Sequence, residues 1–508
     1  MFQSEIRNSQ VNELFEKVQS QNYGNYLVSI NIKKARALQD VRISFDFPVT
    51  AIIGINGGGK TTVIGAAACG YKKIKPGKFF AKSGNFDKSM ENWEFEYELL
   101  DKKIQPKGIV RRVSKFVQAK WVRRWTKNIQ SGQEREVLIF GISRTVPASE
   151  RAELNRCISN NFSLSKEKID SISLSVSNAV ASILDKDISK FSFLNVDDRG
   201  RVTLLAGKTL QGDSYSEFHF GAGESSVIRM AIELETVPEN SLILIEEIEN
   251  GLHPVATIRM VEYLVDLAQR RKIQVIFTTH SNDALRPLPD KAIWAAANGS
   301  LYQGKLDISS LRAISGQIDS QLVLFVEDSF AKIWVEEIIR SIPDVAMDAI
   351  SVHAMAGDGT AVVVHRGHNK NPSVLQPSIC LIDGDSKQQD SNENDIYRLP
   401  GQSPEAYVYD KVLEKLQDVA GKLTVALLRP YDEHERVADI IRSVRNTNRD
   451  PHVLYSQVGM KLGLIPEARV KEAFISIWVQ EFTADVEGVL RPFKQKIPLE
   501  SSRQNISR

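Results

Sequence analysis

The sequence has little cysteine: three of 508 residues, which are Cys69, Cys157 and Cys380. They are scattered and form no CxxC pair, so neither a structural zinc site nor a disulfide framework is predicted, and a reducing compartment fits. The start from Met1 to Val18 is polar and mixed in charge, and no later apolar run reaches membrane-spanning length. We therefore expect a cytoplasmic protein that does not bind membranes.

The sequence also lacks an excess of either charge. Lys and Arg number 65 and Asp and Glu number 63, giving a formal net charge of +2. Bulk charge therefore does not indicate a nucleic-acid-binding protein, and such a function would depend on local patches. A length of 508 residues with 42% hydrophobic residues is typical of a globular chain with two or three domains.

Apolar runs that alternate with helical patterns predict an α/β fold. Predicted strands of the first domain lie at 26–32, 49–53, 242–245 and 275–278, and a second series lies at 322–326, 350–353 and 379–382. The sequence favours helical structure at 147–190, a hairpin at 191–205 and mostly helices at 405–508. The expected domains are 1–315, 316–425 and 426–508, the last completing the second.

A glycine-rich loop follows the strand predicted at 49–53. Residues 54–61, Gly-Ile-Asn-Gly-Gly-Gly-Lys-Thr, fit the pattern G-x-x-x-x-G-K-[ST] between a strand and a helix. Such a loop turns its amides toward phosphate oxygens, while Lys60 reaches the outer phosphates and Thr61 offers its hydroxyl to magnesium. This context favours a nucleotide site over a glycine-rich turn with a chance lysine. The predicted nucleotide-binding residues are Asn56, Gly57, Gly59, Lys60, Thr61 and Thr62.

Two acidic residues and a histidine extend this site. The strand at 242–245 ends in Glu246 and Glu247, of which the first can hold the magnesium shell and the second can orient the attacking water. The alternative is a pair of solvated loop acids. His280 follows the strand at 275–278 and can sense a terminal phosphate, although a lone histidine is more often structural.

Two strands of the second series also end in acids. Glu327 follows the strand at 322–326, and Asp383 and Asp385 follow the strand at 379–382. Carboxylates from neighbouring strand ends form an oxygen-rich site suited to Mg²⁺ or Mn²⁺, which can activate water for phosphodiester cleavage. Taken alone, Asp-Gly-Asp is also a common turn.

The segments 54–61, 221–224, 242–247 with 249–254, and His280 follow one another in the order found in ABC-type ATPases. They resemble most closely the RecF/SMC/OLD branch. The resemblance implies ATP as cofactor, with Glu246 as a magnesium-associated acid and Glu247 and His280 as catalytic residues. It also implies that Gly223 and Glu224, in the signature motif, contact ATP held by a second subunit, and hence a homodimer or higher homo-oligomer. The family usually has Asp at position 246 and serine at position 221, and no clear Q-loop glutamine is present beyond the weak candidate Asp87.

Glu327 at one strand end and Asp383-Gly384-Asp385 at a later one resemble the pattern of Toprim domains. An ABC-type ATPase followed by a Toprim domain is the order found in the OLD (overcoming lysogenisation defect) family. The resemblance implies a RecF/SMC-like ATPase domain with a helical dimerisation insertion at 147–190, a Toprim Rossmann-like domain and a helical C-terminal region. It further implies an ATP-dependent DNA endonuclease or nickase that requires Mg²⁺ or Mn²⁺ and acts in bacterial anti-phage defence.

The same resemblance assigns the residues of the second site. Glu327, Asp383 and Asp385 would be catalytic metal ligands, and Glu405 would help to bind a second metal. The usual Toprim glycine is replaced by Asp328 and a usual acid by Ala331. Further second-metal candidates are Asp358, Asp432 and His434, and candidates for holding the scissile phosphate are Lys332 and Lys387.

A sensor or scaffold without nuclease activity is the alternative hypothesis. There ATP would control assembly with a partner, such as a reverse transcriptase–DNA complex or another accessory subunit. DNA is expected to follow the most basic stretch, residues 107–127, where cations could neutralise phosphates and Trp121 and Trp125 could stack on bases. A solvated face with two core tryptophans, or a surface for an acidic protein, fits this stretch equally well.

Overall fold

The computed structural model describes most of the chain. The described residues are 6–81, 87, 91–117, 120–125, 135–158, 162, 164–197, 202–209, 212–297, 299–304, 320–355, 357, 359–370, 374 and 376–500. The chain forms two compact units, Met1–Ile308 and Ser309–Arg508. The boundary predicted near Gly316 lies outside the described residues.

In the first unit the described residues form three sheets. The strands are β1 Asn25–Ala35, β2 Leu38–Ser44, β3 Val49–Gly54, β4 Glu94–Asp101, β5 Val110–Val117, β6 Lys120–Trp125, β7 Val137–Phe140, β8 Ile169–Ser171, β9 Ser192–Asn195, β10 Thr203–Lys208, β11 Ser214–Ser216, β12 Leu242–Ile245, β13 Gln274–Thr279, β14 Ile293–Ala297 and β15 Ser300–Gln303. The helices are α1 Asn8–Gln19, α2 Lys60–Cys69, α3 Leu174–Leu184, α4 Ala222–Thr236 and α5 Pro254–Arg271.

The central sheet of this unit has the order β15-β14-β3-β13-β12-β7. All its pairings are parallel except that of β14 with β15. Every residue of β3, β12 and β13 is buried, which explains the continuous apolar runs that predicted them. Because parallel strands end at one edge, β3, β12 and β13 present their following loops together.

Two antiparallel sheets complete the first unit, with the orders β2-β1-β4-β5-β6 and β11-β10-β9-β8. The hairpin predicted at 191–205 is confirmed by the antiparallel pairing of β9 with β10. The helical insertion predicted at 147–190 is not confirmed. Its described residues form short 3-10 turns, strand β8 and the single α-helix α3. β8 instead pairs with β9, a long-range contact that local helical patterning does not reveal.

The second unit contains a parallel sheet and many helices. Its strands are β16 Leu322–Val326, β17 Ile350–Ala354, β18 Ser378–Ile382 and β19 Ile396–Arg398, in the order β17-β16-β18-β19. Its helices are α6 Ser329–Arg340, α7 Thr360–Lys370, α8 Pro404–Glu414, α9 Leu416–Ala426, α10 His434–Thr447, α11 Leu454–Lys461, α12 Glu467–Glu481 and α13 Thr483–Leu490. The mostly helical region predicted at 405–508 is confirmed as far as residue 490. None of the described helices is long and apolar enough to span a bilayer.

Candidate functional sites

The glycine-rich loop is closely approached by the backbone of Ala296 and by the side chain of Leu38. A Cβ atom on Gly54 or Gly58 would lie 2.4 Å from the carbonyl oxygen of Ala296 in β14. Gly59 has a φ of +104°, and a Cβ there would approach the Leu38 side chain to 3.0 Å. The glycines are therefore required by the shape of the loop, which leads directly into α2.

Lys60 points back into this loop. Its Nζ donates hydrogen bonds to the carbonyl oxygens of Gly54, at 2.8 Å, and Ile55, at 3.0 Å. Burial lowers the pKa of Lys60 to about 8, while the charges of Glu247 and Glu249 oppose that shift. An ammonium held over the loop by two carbonyl oxygens is placed to exchange them for the oxygens of an incoming anion.

Glu246 and Glu247 follow β12 beside the loop, and an arginine fixes their backbone. Arg144 donates to the carbonyl oxygens of Glu246 and Glu247, both at 2.6 Å. The amide of Glu247 donates to Thr278 Oγ1 at 2.9 Å, and its φ is +46°, a left-handed value that is uncommon without glycine. Burial, followed by the charge of Glu247, raises the pKa of Glu246.

His280 lies next to Glu247, with 3.8 Å between Nε2 and Oε1. Burial and the positive charge of Lys60 lower the pKa of His280, so its neutral form is favoured at neutral pH. The side chain of Glu249 holds this strand end, since it accepts hydrogen bonds from Thr279 Oγ1 at 2.8 Å and from the His280 amide at 2.6 Å.

These groups line one open cavity of about 230 Å³. Its walls contain the predicted residues Asn56, Gly57, Gly59, Lys60, Thr61, Thr62, Glu246, Glu247 and His280. They also contain Arg36, Ala37 and Ile142, which the sequence did not indicate.

Gly223 and Glu224 do not line this cavity. Gly223 lies in the first turn of α4, where a Cβ would be 1.9 Å from the Gly251 carbonyl oxygen. Glu224 Oε1 pairs with Lys186 Nζ at 2.6 Å. Their predicted contact with ATP on a second subunit stays a prediction, as do the catalytic roles of Glu247 and His280.

In the second unit, carboxylates converge around Asp383. Glu327 and Asp383 follow the adjacent parallel strands β16 and β18, whose register places Val326 opposite Leu381. Both side chains are buried, as is Glu405 in the first turn of α8, whereas Asp385 is exposed. The two strand ends thus place Glu327 and Asp383 side by side, as predicted.

The pKa of Asp383 reflects the carboxylates that surround it. Burial, reinforced by the charges of Asp328, Glu327, Glu405 and Asp385, raises its pKa to about 8. Its Oδ1 is buried and accepts no hydrogen bond among the described residues. A carboxylate oxygen that is desolvated and surrounded by negative charge is stabilised by a bound cation or proton.

The donor set fits a hard divalent cation, because all these groups are carboxylate oxygens. However, among the described residues no group of three or more His, Cys, Asp or Glu side chains is already arranged to hold a metal ion. Glu405 explains part of this, since its Oε1 lies 3.1 Å from His452 Nδ1 and its Oε2 accepts from Ser403 Oγ at 3.2 Å. The acids are neighbours, but their side chains are not arranged as a finished ligand cage.

The loop that carries Asp383 and Asp385 is clamped by Arg398 on β19. Arg398 donates to the carbonyl oxygens of Asp383 at 2.9 Å, Gly384 at 3.1 Å and Ser386 at 3.1 Å. Gly384 is also required here, because a Cβ would lie 1.4 Å from the Gly401 carbonyl oxygen. The sequence analysis missed Arg398, because 15 positions separate it from Asp383 and no local pattern indicates their contact.

Asp328, where the Toprim pattern has glycine, has a local structural role. It is the N-cap of α6, and its Oδ1 accepts a hydrogen bond from the Ala331 amide at 2.7 Å. Ala331 is fully buried in the core of the second unit. Asp328 is therefore explained by its role as the N-cap of α6, and Ala331 by its place in the core.

No described side-chain contact joins the remaining candidates to the acidic cluster. Lys332 lies 4.0 Å from Glu336, and His434 Nδ1 lies 2.9 Å from the Tyr431 carbonyl oxygen. Asp432 and Lys387 are exposed. Asp358 lies outside the described residues, and so do residues 82–86 and 88–90 on either side of Asp87.

The basic stretch at 107–127 contains the antiparallel strands β5 and β6. Arg111 pairs with Glu98 at 3.2 Å, and Arg112 is buried and donates to the Gly70 carbonyl oxygen. The side chains of Trp121 and Trp125 lie outside the described residues, so their stacking on bases stays a prediction.

Comparison with known proteins gives a coarse assignment. Residues 49–286 match the family described as "AAA domain, putative AbiEii toxin, Type IV TA system". No curated protein matches the chain. Among solved structures, the SMC head domain from Thermotoga maritima is 13% identical, with a TM-score of 0.35, covering 55% of this chain and 98% of that chain. The SMC head bound to the C-winged helix domain of ScpA is 14% identical, with a TM-score of 0.40, covering 54% and 96%.

The recombination mediator RecF in its ATP form is also similar, at 12% identity and a TM-score of 0.34, covering 55% of this chain and 98% of that chain. These structural likenesses are too distant to carry an argument about function. The family match spans the glycine-rich loop, Glu246, Glu247 and His280. The first unit is therefore similar to AAA-type ATPase domains.

Proposed function

We propose that this chain is an ATP-dependent DNA endonuclease or nickase of the OLD type, in which an ABC-type ATPase unit controls a Toprim-like unit that requires Mg²⁺ or Mn²⁺. The observation that carries the nuclease proposal is the convergence of carboxylates on Asp383. A buried carboxyl whose pKa is raised to about 8 by burial and four neighbouring acids is poorly suited to a purely structural role.

In this proposal Glu327, Asp383 and Asp385 hold the first cation and Glu405 contributes to a second. A divalent cation bound there supplies the charge that activates water and stabilises the phosphodiester transition state. Arg398 fixes the backbone of the Asp383 loop, so that the carboxylates are aimed before DNA arrives. Glu405 must leave His452 and Ser403 to become a ligand.

In the first unit Lys60 and Thr61 bind the phosphates and magnesium of ATP, and Glu246 supports that magnesium. Glu247 orients the attacking water, beside a neutral His280. ATP binding would join two copies through the signature segment with Gly223 and Glu224. The joined state then permits cutting in the second unit.

The cellular role that fits is defence against phages. The description of the matched family names a putative AbiEii toxin of a type IV toxin–antitoxin system. A toxic nuclease whose cutting depends on ATP is consistent with such a role. DNA is the proposed substrate, and a reverse transcriptase–DNA complex or another accessory subunit is a proposed partner.

A sensor or scaffold without nuclease activity is the second candidate. It is favoured by the absence, among the described residues, of side chains already arranged as a metal site. In that case ATP would control assembly with a partner effector, and the acidic cluster would be vestigial.

Cleavage of supercoiled plasmid separates the two candidates. Wild type, Asp383→Ala, Lys60→Ala and the control Asp439→Ala, an exposed acid in α10, are incubated with Mg²⁺ or Mn²⁺, with and without ATP. The nuclease proposal expects nicking by wild type and Asp439→Ala, loss of at least about a hundredfold with Asp383→Ala, and loss of the ATP response with Lys60→Ala. No cleavage by wild type under any condition supports the scaffold, and undiminished cleavage by Asp383→Ala contradicts the proposed site.

A further inference from the structure

Arg36 occupies the tip of a tight hairpin beside the glycine-rich loop. The register of β1 and β2 pairs Ala35 with Leu38, which leaves Arg36 and Ala37 as a two-residue turn. The φ of Arg36 is +52°. In two-residue hairpin turns a positive φ at the first central position is normally taken by glycine or asparagine.

An arginine in this conformation costs backbone strain of about 1 kcal/mol or more, which is retained only where the surroundings enforce it. Here they do. Leu38, the next residue after the turn, packs against Gly59 of the glycine-rich loop, and the Ala37 carbonyl oxygen lies close to Gly299. The hairpin tip is thus held beside the glycine-rich loop, where Arg36 and Ala37 line the cavity.

The side chain of Arg36 is also fixed. Its NH2 donates to the Phe79 carbonyl oxygen at 2.7 Å, and its guanidinium carbon lies 5.3 Å from the centre of the Phe80 ring. Arg36 lines the same cavity as Asn56, Lys60 and Thr61. Among the described residues no carboxylate lies within ion-pairing distance of Arg36.

This combination points to an anion. The Arg36 guanidinium is exposed, is held by one carbonyl oxygen and one aromatic ring, and is not neutralised by a described acid. It is therefore available to a charged ligand. The anion expected in this cavity is a polyphosphate, because Lys60 and the loop amides already form a phosphate cradle. The planar guanidinium has donors left to bridge two phosphate oxygens.

We propose that Arg36 is a second phosphate-binding cation of the nucleotide site, which binds the phosphate chain together with Lys60 and the loop amides. The inference rests on the proposed function, since it requires ATP to bind in this cavity. It assigns to the β1–β2 hairpin a direct role in recognising the ligand rather than a role in folding alone.

Two probes separate phosphate recognition from contact with the base or ribose. The affinities of the full chain for ATP and for inorganic tripolyphosphate are measured with magnesium for wild type, Arg36→Gln, Arg36→Lys and Lys60→Ala. Arg36→Gln keeps a donor for the Phe79 carbonyl oxygen but removes the charge. Arg42→Ala is the matched control, because Arg42 lies on β2 and pairs with Glu98 at 2.8 Å outside the cavity.

Arg36→Gln is expected to weaken the binding of ATP and of tripolyphosphate equally, by about tenfold. Arg36→Lys keeps the charge but not the bridging geometry and should recover part of the loss, and Arg42→Ala should change neither affinity. Weaker binding of ATP with unchanged binding of tripolyphosphate would place Arg36 on the base or ribose and overturn the proposal. Unchanged affinity for both ligands overturns it as well. If wild type binds neither ligand, or binds both no better than Lys60→Ala, the proposed nucleotide site itself fails.

Discussion

Arg398 donates a hydrogen bond to the main-chain oxygen of Asp383, at 2.9 Å, and not to its carboxylate. The same relationship holds in the first unit, where Arg144 donates to the main-chain oxygens of Glu246 and Glu247. In both places an arginine fixes the backbone of an acidic strand end and leaves the carboxylates available for a ligand. The two arginines are therefore positioning residues.

Replacing Arg398 by lysine tests this role in the second unit. A lysine ammonium cannot bridge several carbonyl oxygens at once, so the Asp383 loop loses its clamp while the charge is kept. We expect Arg398→Lys to weaken Mn²⁺ binding by about 10- to 100-fold, measured by titration calorimetry, with little change in helix content by circular dichroism. Arg442→Lys, an exposed arginine that pairs with Asp439, is the control. Unaltered Mn²⁺ affinity of Arg398→Lys would show that the clamp does not position the acids.

Arg144→Lys makes the corresponding change in the ATPase unit. Arg144 contacts the backbone of Glu246 and Glu247 rather than the phosphate loop, so its loss should disturb hydrolysis more than binding. We expect kcat for ATP hydrolysis to fall by about 100-fold, while the Kd for ATP changes by less than about threefold. The control is Arg156→Lys, an exposed arginine in a nearby 3-10 turn. An equal loss in binding and turnover would mean that Arg144 acts on the nucleotide itself.

The raised pKa of Asp383 predicts how stability depends on pH without divalent metal. Its folded-state pKa is about 8 against an ordinary value of 3.8, so the folded chain holds this proton more tightly than the unfolded chain. The resulting stabilisation is complete below about pH 4 and is lost as pH rises through about 8. The Asp383→Asn variant has no ionisable group at this position. Its free energy of unfolding should therefore increasingly exceed that of wild type as pH rises, by on the order of a few kcal/mol at pH 8.5.

Urea unfolding with a chelator at pH 5 and pH 8.5 measures this difference, with Asp439→Asn as the exposed control. Saturating Mn²⁺ should cancel the advantage of Asp383→Asn, because the cation replaces the proton as the partner of the carboxylate. A difference between Asp383→Asn and wild type that does not grow with pH would contradict the crowded, buried environment of this group.

Gly384→Ala tests the close approach beneath the acidic loop. The added Cβ would lie 1.4 Å from the carbonyl oxygen of Gly401, which belongs to the backbone and cannot turn away. We expect a loss of about 2–4 kcal/mol in the free energy of unfolding, measured by urea denaturation. Gly367→Ala in α7 meets nothing within 4 Å and should be neutral or gain about 1 kcal/mol. Equal free energies of unfolding for Gly384→Ala and Gly367→Ala would show that Gly384 does not approach the Gly401 carbonyl oxygen this closely.

Much of the nucleotide site and of the acidic cluster was predictable, because the residues that indicate them lie close together in the sequence. The loop at 54–61 is contiguous in sequence, and Glu246, Glu327 and Asp383 each follow directly after an apolar strand. Parallel strands end at one edge of a sheet, so strand order alone brings Glu327 next to Asp383. The same reasoning could not give side-chain geometry, and the engagement of Glu405 with His452 was not foreseen.

The features that were missed depend on contacts between distant residues. Arg144 and Glu246 are separated by 102 positions, and no pattern around Arg144 indicates that its guanidinium meets that strand end. Arg36 was overlooked because tight hairpin turns are recognised in a sequence by glycine or asparagine. Arginine at this position gives no sign of the positive φ that the structure shows. Of the helices expected at 147–190 the described residues contain only α3, and the rest form short turns and β8, whose pairing with β9 overrides local preference.

The most direct test of the central claim is Mn²⁺ binding to the full chain, followed by titration calorimetry at pH 7.5 in wild type, Asp383→Ala and Asp439→Ala. We predict that wild type and Asp439→Ala bind at least one Mn²⁺ per chain when nucleotide is absent. Asp383→Ala should lose that binding by about 100-fold while remaining folded. Equal Mn²⁺ binding by Asp383→Ala and wild type, or none by wild type, would contradict the assignment of the converging carboxylates as a metal site.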